Sequence, residues 1–410
     1  MAQENREVAD LALFGGDIAF PRPKSIGSLA QPTFDRFMAY SRVFFDEQWY
    51  TNDGPGNRRL EARLAEFHHT SRCVTFSSAF WGLAIAMRCL ALPGRSEAVM
   101  PSLTYRRMAE IAVLAGLIPR FCDVDSVTLG QTAETVAPCL TDDTALIVGV
   151  HPTVNCCDAP GLERLSERTG IPLLFDSVES TYETCAGRKV GCFGRAEGFS
   201  LHASKLINGF EGGYLTTDDS QLADRLRYMR GFGFAAEDTV VEFGINAKLN
   251  EVHAAMALAS LDELESLVLR NRARYDAYRR GLAPVRGVSV REFDERERTS
   301  FKNIVVELED SWPLTRSQTL EILHAEGALA RPYYSPPLHA KETAFEKRFG
   351  SLPVTEDLAE RFLLLPCGDQ MAESSVMVVV GLLAFLGEHG EAVGERLTSA
   401  SVSDEASIGS

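Results

Sequence analysis

The sequence predicts an α/β chain: a large domain built on a mostly parallel central sheet, followed by a smaller C-terminal α+β domain. Three observations carry this. Short runs of β-type residues alternate with helical segments between residues 73 and 216. Polar or reactive side chains follow several of these runs directly. Beyond residue 266 the alternation stops, and strand-like runs are followed by helices. Strands alternating with helices build a parallel sheet covered on both faces. In such sheets functional groups gather at the carboxyl ends of the strands.

Taken in order, residues 1 to about 30 carry several Gly and Pro and are expected to lie as an extended arm. Residues 31–45 read as a helix. Thr51-Asn-Asp-Gly-Pro-Gly is a turn cluster, after which Asn57 is expected to cap a helix with Leu60, Leu64 and Phe67 on one face. The strand-like runs are 73–76, 98–100, 118–122, 145–150, 172–175, 198–201 and 214–216. Helical segments at 82–90, 107–115, 161–169 and 220–231 separate most of them. A long helix is expected over 250–281; its apolar residues make no single stripe, so part of it is expected to face a partner. Then come strands at 287–290 and 301–308 and helices at 317–327 and 374–387. The expected division is a large domain over 1–265, a small one over 266–390 and a disordered Ser/Glu/Gly-rich tail over 391–410.

The net charge of −16 argues against a nucleic-acid surface. The start lacks the basic-then-apolar pattern of a signal peptide, and the longest apolar run, 376–386, is too short to span a bilayer. A cytoplasmic protein that uses no membrane is expected. The nine cysteines form no Cys-x-x-Cys, so no metal knuckle or redox pair is indicated.

Four groups fall on one rim of the predicted sheet. Ser77-Ser78 follows 73–76, Tyr105 follows 98–100, Asp176 follows 172–175 and Lys205 follows 198–201. Lys205 has no acidic residue within five positions and precedes the pair Gly212-Gly213. A lysine among small and apolar residues is either a desolvated Schiff-base amine or a surface loop lysine. Asp176 is either a buried functional carboxylate or a helix cap at a strand–helix junction.

Several stretches then bring a family into view. They are Leu-Phe-Gly-Gly at 13–16, Trp-Tyr-Thr-Asn-Asp-Gly-Pro at 49–55, Pro-Ser-Leu-Thr-Tyr at 101–105, Phe-Asp-Ser-Val-Glu-Ser at 175–180 and Ser-Leu-His-Ala-Ser-Lys at 200–205. Further on come Gly-Ile-Asn-Ala-Lys-Leu-Asn-Glu at 244–251, Pro-Tyr-Tyr-Ser-Pro-Pro-Leu-His at 332–339 and Leu-Pro-Val-Thr-Glu at 352–356. With these, from about Leu13 to Leu386, the chain resembles the DegT/DnrJ/StrS-type sugar aminotransferases, fold-type I enzymes dependent on pyridoxal 5'-phosphate. It looks most like those acting on dTDP-4-keto-6-deoxyglucose. The resemblance implies Lys205 as the Schiff-base lysine and acid–base, Asp176 at the ring nitrogen, Glu179 near the ring hydroxyl and Tyr105 stacked on the ring. It implies Ser200, Ser78, Ala79 and Phe80 at the phosphate, and Asn246 reaching that phosphate across a homodimer with shared active sites. Phe80, Trp81, His151, Lys248, Tyr333 and His339 fall where substrate would bind. The implied reaction moves an amino group from an amino acid, expected to be L-glutamate, to a nucleotide-linked keto sugar in natural-product biosynthesis.

The chain departs from the family pattern at Ala79-Phe80-Trp81, at His151-Pro-Thr-Val154 and at Phe301-Lys-Asn303. These leave open a cyclitol or another ketone as acceptor, or a deamination or decarboxylation outcome. A non-catalytic relative of the same fold is the reading from a different class.

Overall fold

The computed structural model describes residues 7–408, with side chains through residue 399. Residues 1–6, read above for a leader, and 409–410 of the expected tail lie outside the described residues. The central sheet has eight strands, in the order Arg348–Phe349, Ile118–Cys122, Glu97–Pro101, Thr144–Val150, Leu173–Asp176, Ala196–Ser200, Gly213–Thr217 and Arg72–Phe76. Gly213–Thr217 runs antiparallel to both neighbours; every other pairing is parallel. The α/β reading with a mainly parallel sheet therefore holds.

Alternation along the strands feeds two apolar layers. Leu173 and Phe175 join one with Phe193 and Phe199, whereas Leu174 joins the other with Leu83, Met100 and Leu146. The helices after the strands start on side-chain caps. Ser78 accepts from Trp81 N, Asp158 from Gly161 N and Asp219 from Leu222 N. Each cap satisfies one of the N–H groups that a helix start leaves without a carbonyl.

A second sheet is antiparallel, in the order Val288–Val290, Ile304–Leu308, Phe362–Leu365 and Arg331–Pro332. The segment after residue 266 also sends Arg348–Phe349 back to the edge of the central sheet, beside Ile118–Cys122.

Several local expectations are corrected. Residues 7–25 do not lie as a simple extended arm. They make two tight turns, Val8–Asp10 and Ala12–Phe14, and then Lys24–Ser25 pairs parallel with Ala328–Leu329. The Glu326 carboxylate accepts from the Ala12 and Ala19 N–H groups, so two of the segment's donors are met from far along the chain. The helix expected to start on Asn57 is Pro55–His68, with Gly54 at its N-cap. Proline suits that first position because its missing N–H would have no partner there. The capping oxygens come from far along the chain: buried Glu251 accepts from Gly56 N at 2.6 Å and Asn57 N at 3.0 Å. Asn57 points inward instead and accepts from Thr75 Oγ1 at 2.7 Å.

The helix expected over 250–281 is two, Glu251–Asp262 and Leu264–Leu282, broken at Glu263. The first half packs on Phe34–Asp46 and Pro55–His68, the second on the last helix and Val288–Val290. Two sets of neighbours explain why no single stripe was visible. The last helix runs from Glu373 to Ile408, through the tail expected to be disordered. Trp312, Pro313 and Leu314 lie against its Gly387 and Gly390, and Val393 is fully buried. Its stretch Glu373–Ser399 is long and apolar enough to cross a membrane by length and composition, unlike the short run read from sequence. In this fold 50% of its most apolar window is buried inside the protein.

Candidate active site

Strand register brings the carboxyl ends together. Gly213 lies opposite both Phe76 and Ser200, and Asp176 lies opposite both Val150 and Gly198. Ser78, Ser200, Asp176, Tyr105 and the loop carrying Lys205 therefore share one rim. A Cβ on Gly213 would stand 2.2 Å from Ala79 N and 2.5 Å from Ala79 Cα. Only glycine lets the start of helix Ala79–Leu90 sit this close to the neighbouring strands.

The Lys205 loop is held from several sides. Leu201 N donates to Gly212 O at 2.9 Å and Ala203 N to Phe210 O at 3.0 Å. Asn208 Nδ2 reaches Ala30 O at 2.8 Å. Lys205 Nζ forms an ion pair with Glu179 Oε1. The other carboxylate oxygen, Oε2, accepts from Lys302 Nζ at 2.7 Å and Asn303 Nδ2 at 3.2 Å. Burial opposes ionisation of Glu179, but the Lys205 and Lys302 charges outweigh it and hold the carboxyl well below its usual range. Asp176 differs. Burial pushes it up to about 6, against a backbone donor, Val178 N, at 3.2 Å and the more distant Lys205 charge.

The other expected residues divide. Tyr105 is 43% exposed at the rim. Ser200 Oγ accepts from His202 N at 3.2 Å. Phe80 and Trp81 meet edge to face, ring centres 5.6 Å apart, at the start of the capped helix. Trp81 also walls an apolar groove of about 220 Å³ with Ile85, Arg88 and Phe243. Tyr333 is fully buried, its hydroxyl accepting from Thr153 N at 3.5 Å and lying within the field of Glu179. Asn246 is exposed, and Lys248 Nζ sits 4.4 Å over the Phe232 ring.

Two expected substrate residues are placed elsewhere. His151 N donates to Asp176 O, but its ring stacks on Phe175, centres 5.2 Å apart. Phe175 and Asp176 are consecutive in a strand and face opposite sides, so the imidazole lies in the core layer beneath the rim. Burial pushes it down to about 3, which keeps it neutral. His339 is also buried; its Nδ1 lies 2.7 Å from Ser102 Oγ and its Nε2 3.4 Å from Glu356 Oε1. It ties the end of a central strand to the C-terminal segment.

Lys302, Asn303 and Tyr334 were given no role of their own from sequence, although Phe301-Lys-Asn303 was marked as a departure from the family pattern. The Tyr334 hydroxyl feels Glu179 and Asp176. Phe301 and Tyr334 both hold a left-handed backbone, each with φ 50°, a conformation costly for bulky residues and concentrated at functional sites. The only sequence signal for Lys302 was the unusual Phe301-Lys-Asn303 stretch; for Tyr334 it was the tyrosine pair.

The profile of the DegT/DnrJ/EryC1/StrS aminotransferase family matches residues 35–384. The chain is 26% identical over 306 residues to a dTDP-4-amino-4,6-dideoxy-D-glucose transaminase of Shigella dysenteriae, a match covering 74% of this chain and 83% of that one. Among solved structures, DesI in the presence of its TDP-sugar product superposes with a TM-score of 0.90 at 34% identity, covering 96% of this chain and 100% of that chain. The aminotransferase TlmJ from Streptoalloteichus hindustanus gives a TM-score of 0.81 at 28% identity, covering 90% and 99%.

Proposed function

The chain belongs to the DegT/DnrJ/EryC1/StrS aminotransferase family, and we propose that it moves an amino group from an amino acid, expected to be L-glutamate, to the keto carbon of a nucleotide-linked sugar. It is an aminotransferase dependent on pyridoxal phosphate. The observation that carries the reading is the rim on which Lys205, Asp176, Ser200 and a capped helix start converge. Its donor set suits the cofactor: an amine, a buried carboxylate that lacks a full cationic partner, and a helix start with hydroxyls beside it. When bound, the cofactor supplies a carbonyl that takes up amines and a ring that draws electrons from the substrate carbon.

Lys205 would hold that carbonyl carbon and, when free, would carry a proton to and from the substrate carbon at its Nζ. Asp176 would hold the proton on the ring nitrogen, which gives its carboxylate the cation that burial denies it. The N–H groups at Ser78, Ala79 and Phe80, with the Ser200 hydroxyl, would hold the phosphate. Tyr105 would cover the ring face, and Glu179 would keep a negative charge beside Lys205. Phe80, Trp81, Lys248 and Tyr333 remain our candidates for the substrate side.

We further propose a homodimer with shared sites, to which Asn246 reaches across. Supporting this, Phe34 and Phe45 on one helix and Val241 and Phe243 near Asn246 are each at least half exposed, a pattern of large apolar groups that a second copy would cover. The division into units at 1–265 and 266–390, a role in deoxysugar formation for natural products and a cytoplasmic setting belong to the same reading. All nine cysteines are free, in keeping with a reducing compartment. A cyclitol or other free ketone is the second reading, favoured by the bulky Phe80 and Trp81 at the helix start.

Borohydride reduction followed by peptide mass spectrometry should leave the cofactor on Lys205. Recovery of an unmodified Lys205 peptide from reduced holoprotein would refute the residue assignment. A panel of nucleotide-linked keto sugars and cyclitol ketones, with glutamate and a 2-oxoglutarate readout, then decides the acceptor. Turnover of cyclitols alone would overturn the nucleotide-sugar reading.

A further inference from the structure

We propose that Lys302 is the permanent counter-ion of Glu179, a positioning residue that keeps this carboxylate charged while Lys205 leaves it and returns. The inference rests on reading Lys205 as the lysine that engages the cofactor. Glu179 gives one oxygen to each lysine: Oε1 to Lys205 and Oε2 to Lys302, the latter at 2.7 Å. The two contacts are separate, so losing one leaves the other in place.

Lys302 is built to stay. Its side chain is only 5% exposed. Its Nζ also donates to Asn303 Oδ1 at 3.0 Å, while Asn303 Nδ2 bridges Glu179 Oε2 and Thr153 O at 3.2 and 3.0 Å. Phe301, directly before Lys302, holds a left-handed backbone, and Lys302 itself is buried. The Phe301 ring packs against Tyr275 and Phe293, centres 5.4 and 5.2 Å away. Burial works against the Lys302 charge, but Glu179 outweighs it and keeps the amine protonated.

The chemistry needs such a fixed charge. A lysine nitrogen engaged by a carbonyl carbon no longer offers Glu179 its three ammonium donors. A buried carboxylate left without a cation takes up a proton near or above neutral pH. Other groups facing Glu179 give no substitute: Asp176 is an acid, and Tyr333, Tyr334 and Cys367 are neutral. Glu183 faces Lys302 rather than Glu179. With Lys302 present, Glu179 neither gains nor loses a proton as Lys205 changes partners, so no proton is diverted from the substrate carbon.

The test uses infrared titration of the protonated carboxyl band in apoprotein, with the band assigned by its loss in Glu179→Gln. In Lys205→Ala apoprotein, which mimics departure of that amine, Glu179 should stay ionised down to acid pH. In Lys205→Ala/Lys302→Gln its titration should move up by about three or more pH units, and Lys205→Ala/Lys302→Arg should restore the low value. In holoenzyme, Lys302→Gln should add a new ionisation to the kcat profile with KM little changed. Circular dichroism checks folding, and Lys302→Met provides a second neutral variant. No upward shift in either folded neutral variant would overturn the proposal. Because the apoprotein titration needs no cofactor, its failure is distinct from failure of the Lys205 assignment.

Discussion

The Asp176→Asn substitution should stabilise the apoprotein while disabling the enzyme. Burial raises the folded-state value of Asp176 from 3.8 to about 6. The folded carboxyl therefore binds its proton more tightly than the unfolded one. Between these two values the native state holds more protons than the unfolded chain, so this group's contribution falls as pH rises through that window. A shift of about two pH units corresponds to about 3 kcal/mol, lost in full at neutral pH. Asparagine has no proton to lose, and its amide oxygen can still accept from Val178 N. The stability difference between Asp176→Asn and wild type should therefore grow by about 2.5 kcal/mol in favour of the variant between about pH 4 and pH 8. Urea unfolding of both apoproteins at the two pH values measures it, and taking the difference cancels every other titrating group. Aminotransferase activity should fall about a hundredfold or more, because a neutral amide cannot hold the ring-nitrogen proton. An equal stability difference at both pH values would refute the reasoning.

Other substitutions probe separate parts of the design. Gly213→Ala places a methyl against the Ala79 backbone; it should cost about 1–3 kcal/mol of stability and weaken cofactor affinity, read by a thermal melt and a fluorescence titration. Glu251→Ala leaves the Gly56 and Asn57 N–H groups without their acceptor. A loss of about 1–3 kcal/mol for each group is expected, and an unchanged urea midpoint would show that water replaces the carboxylate. Trp81→Ala opens the groove shared with Phe243. It should raise KM for the accepted ketone with little change in kcat, and an unchanged KM would remove Trp81 from the substrate side.

The rim was legible because it obeys local rules. Asp176 and Lys205 each follow an apolar strand, and Ser78 opens a helix, so short windows located them. Glu179 was named for the ring hydroxyl, but its pairing with two lysines depends on long-range contacts. The counter-ion of Lys205 lies 26 residues before it, and Lys302 pairs with a carboxylate 123 residues away. Neither distance has a local signature. His151 was misread because a one-residue step along a strand reverses its face, and the sequence does not mark which face the rim uses. The cap on Pro55–His68 was missed for a related reason: Gly54 and Gly56 leave room for a glutamate that arrives from residue 251. The break at Glu263 follows from two sets of neighbours, which no single helical stripe could encode.

The edge strand Arg348–Phe349 has a mechanical consequence. It fastens the C-terminal segment to the large sheet on one flank, reinforced by the Arg348 ion pair to Glu97. On another flank, Lys24–Ser25 fastens the N-terminal segment to Ala328–Leu329. A leaf pinned at two such points cannot swing freely, since any rotation would shear backbone pairs at one of them. Traffic at the rim therefore falls to small moving parts, such as the exposed side chains of Tyr105 and Trp81.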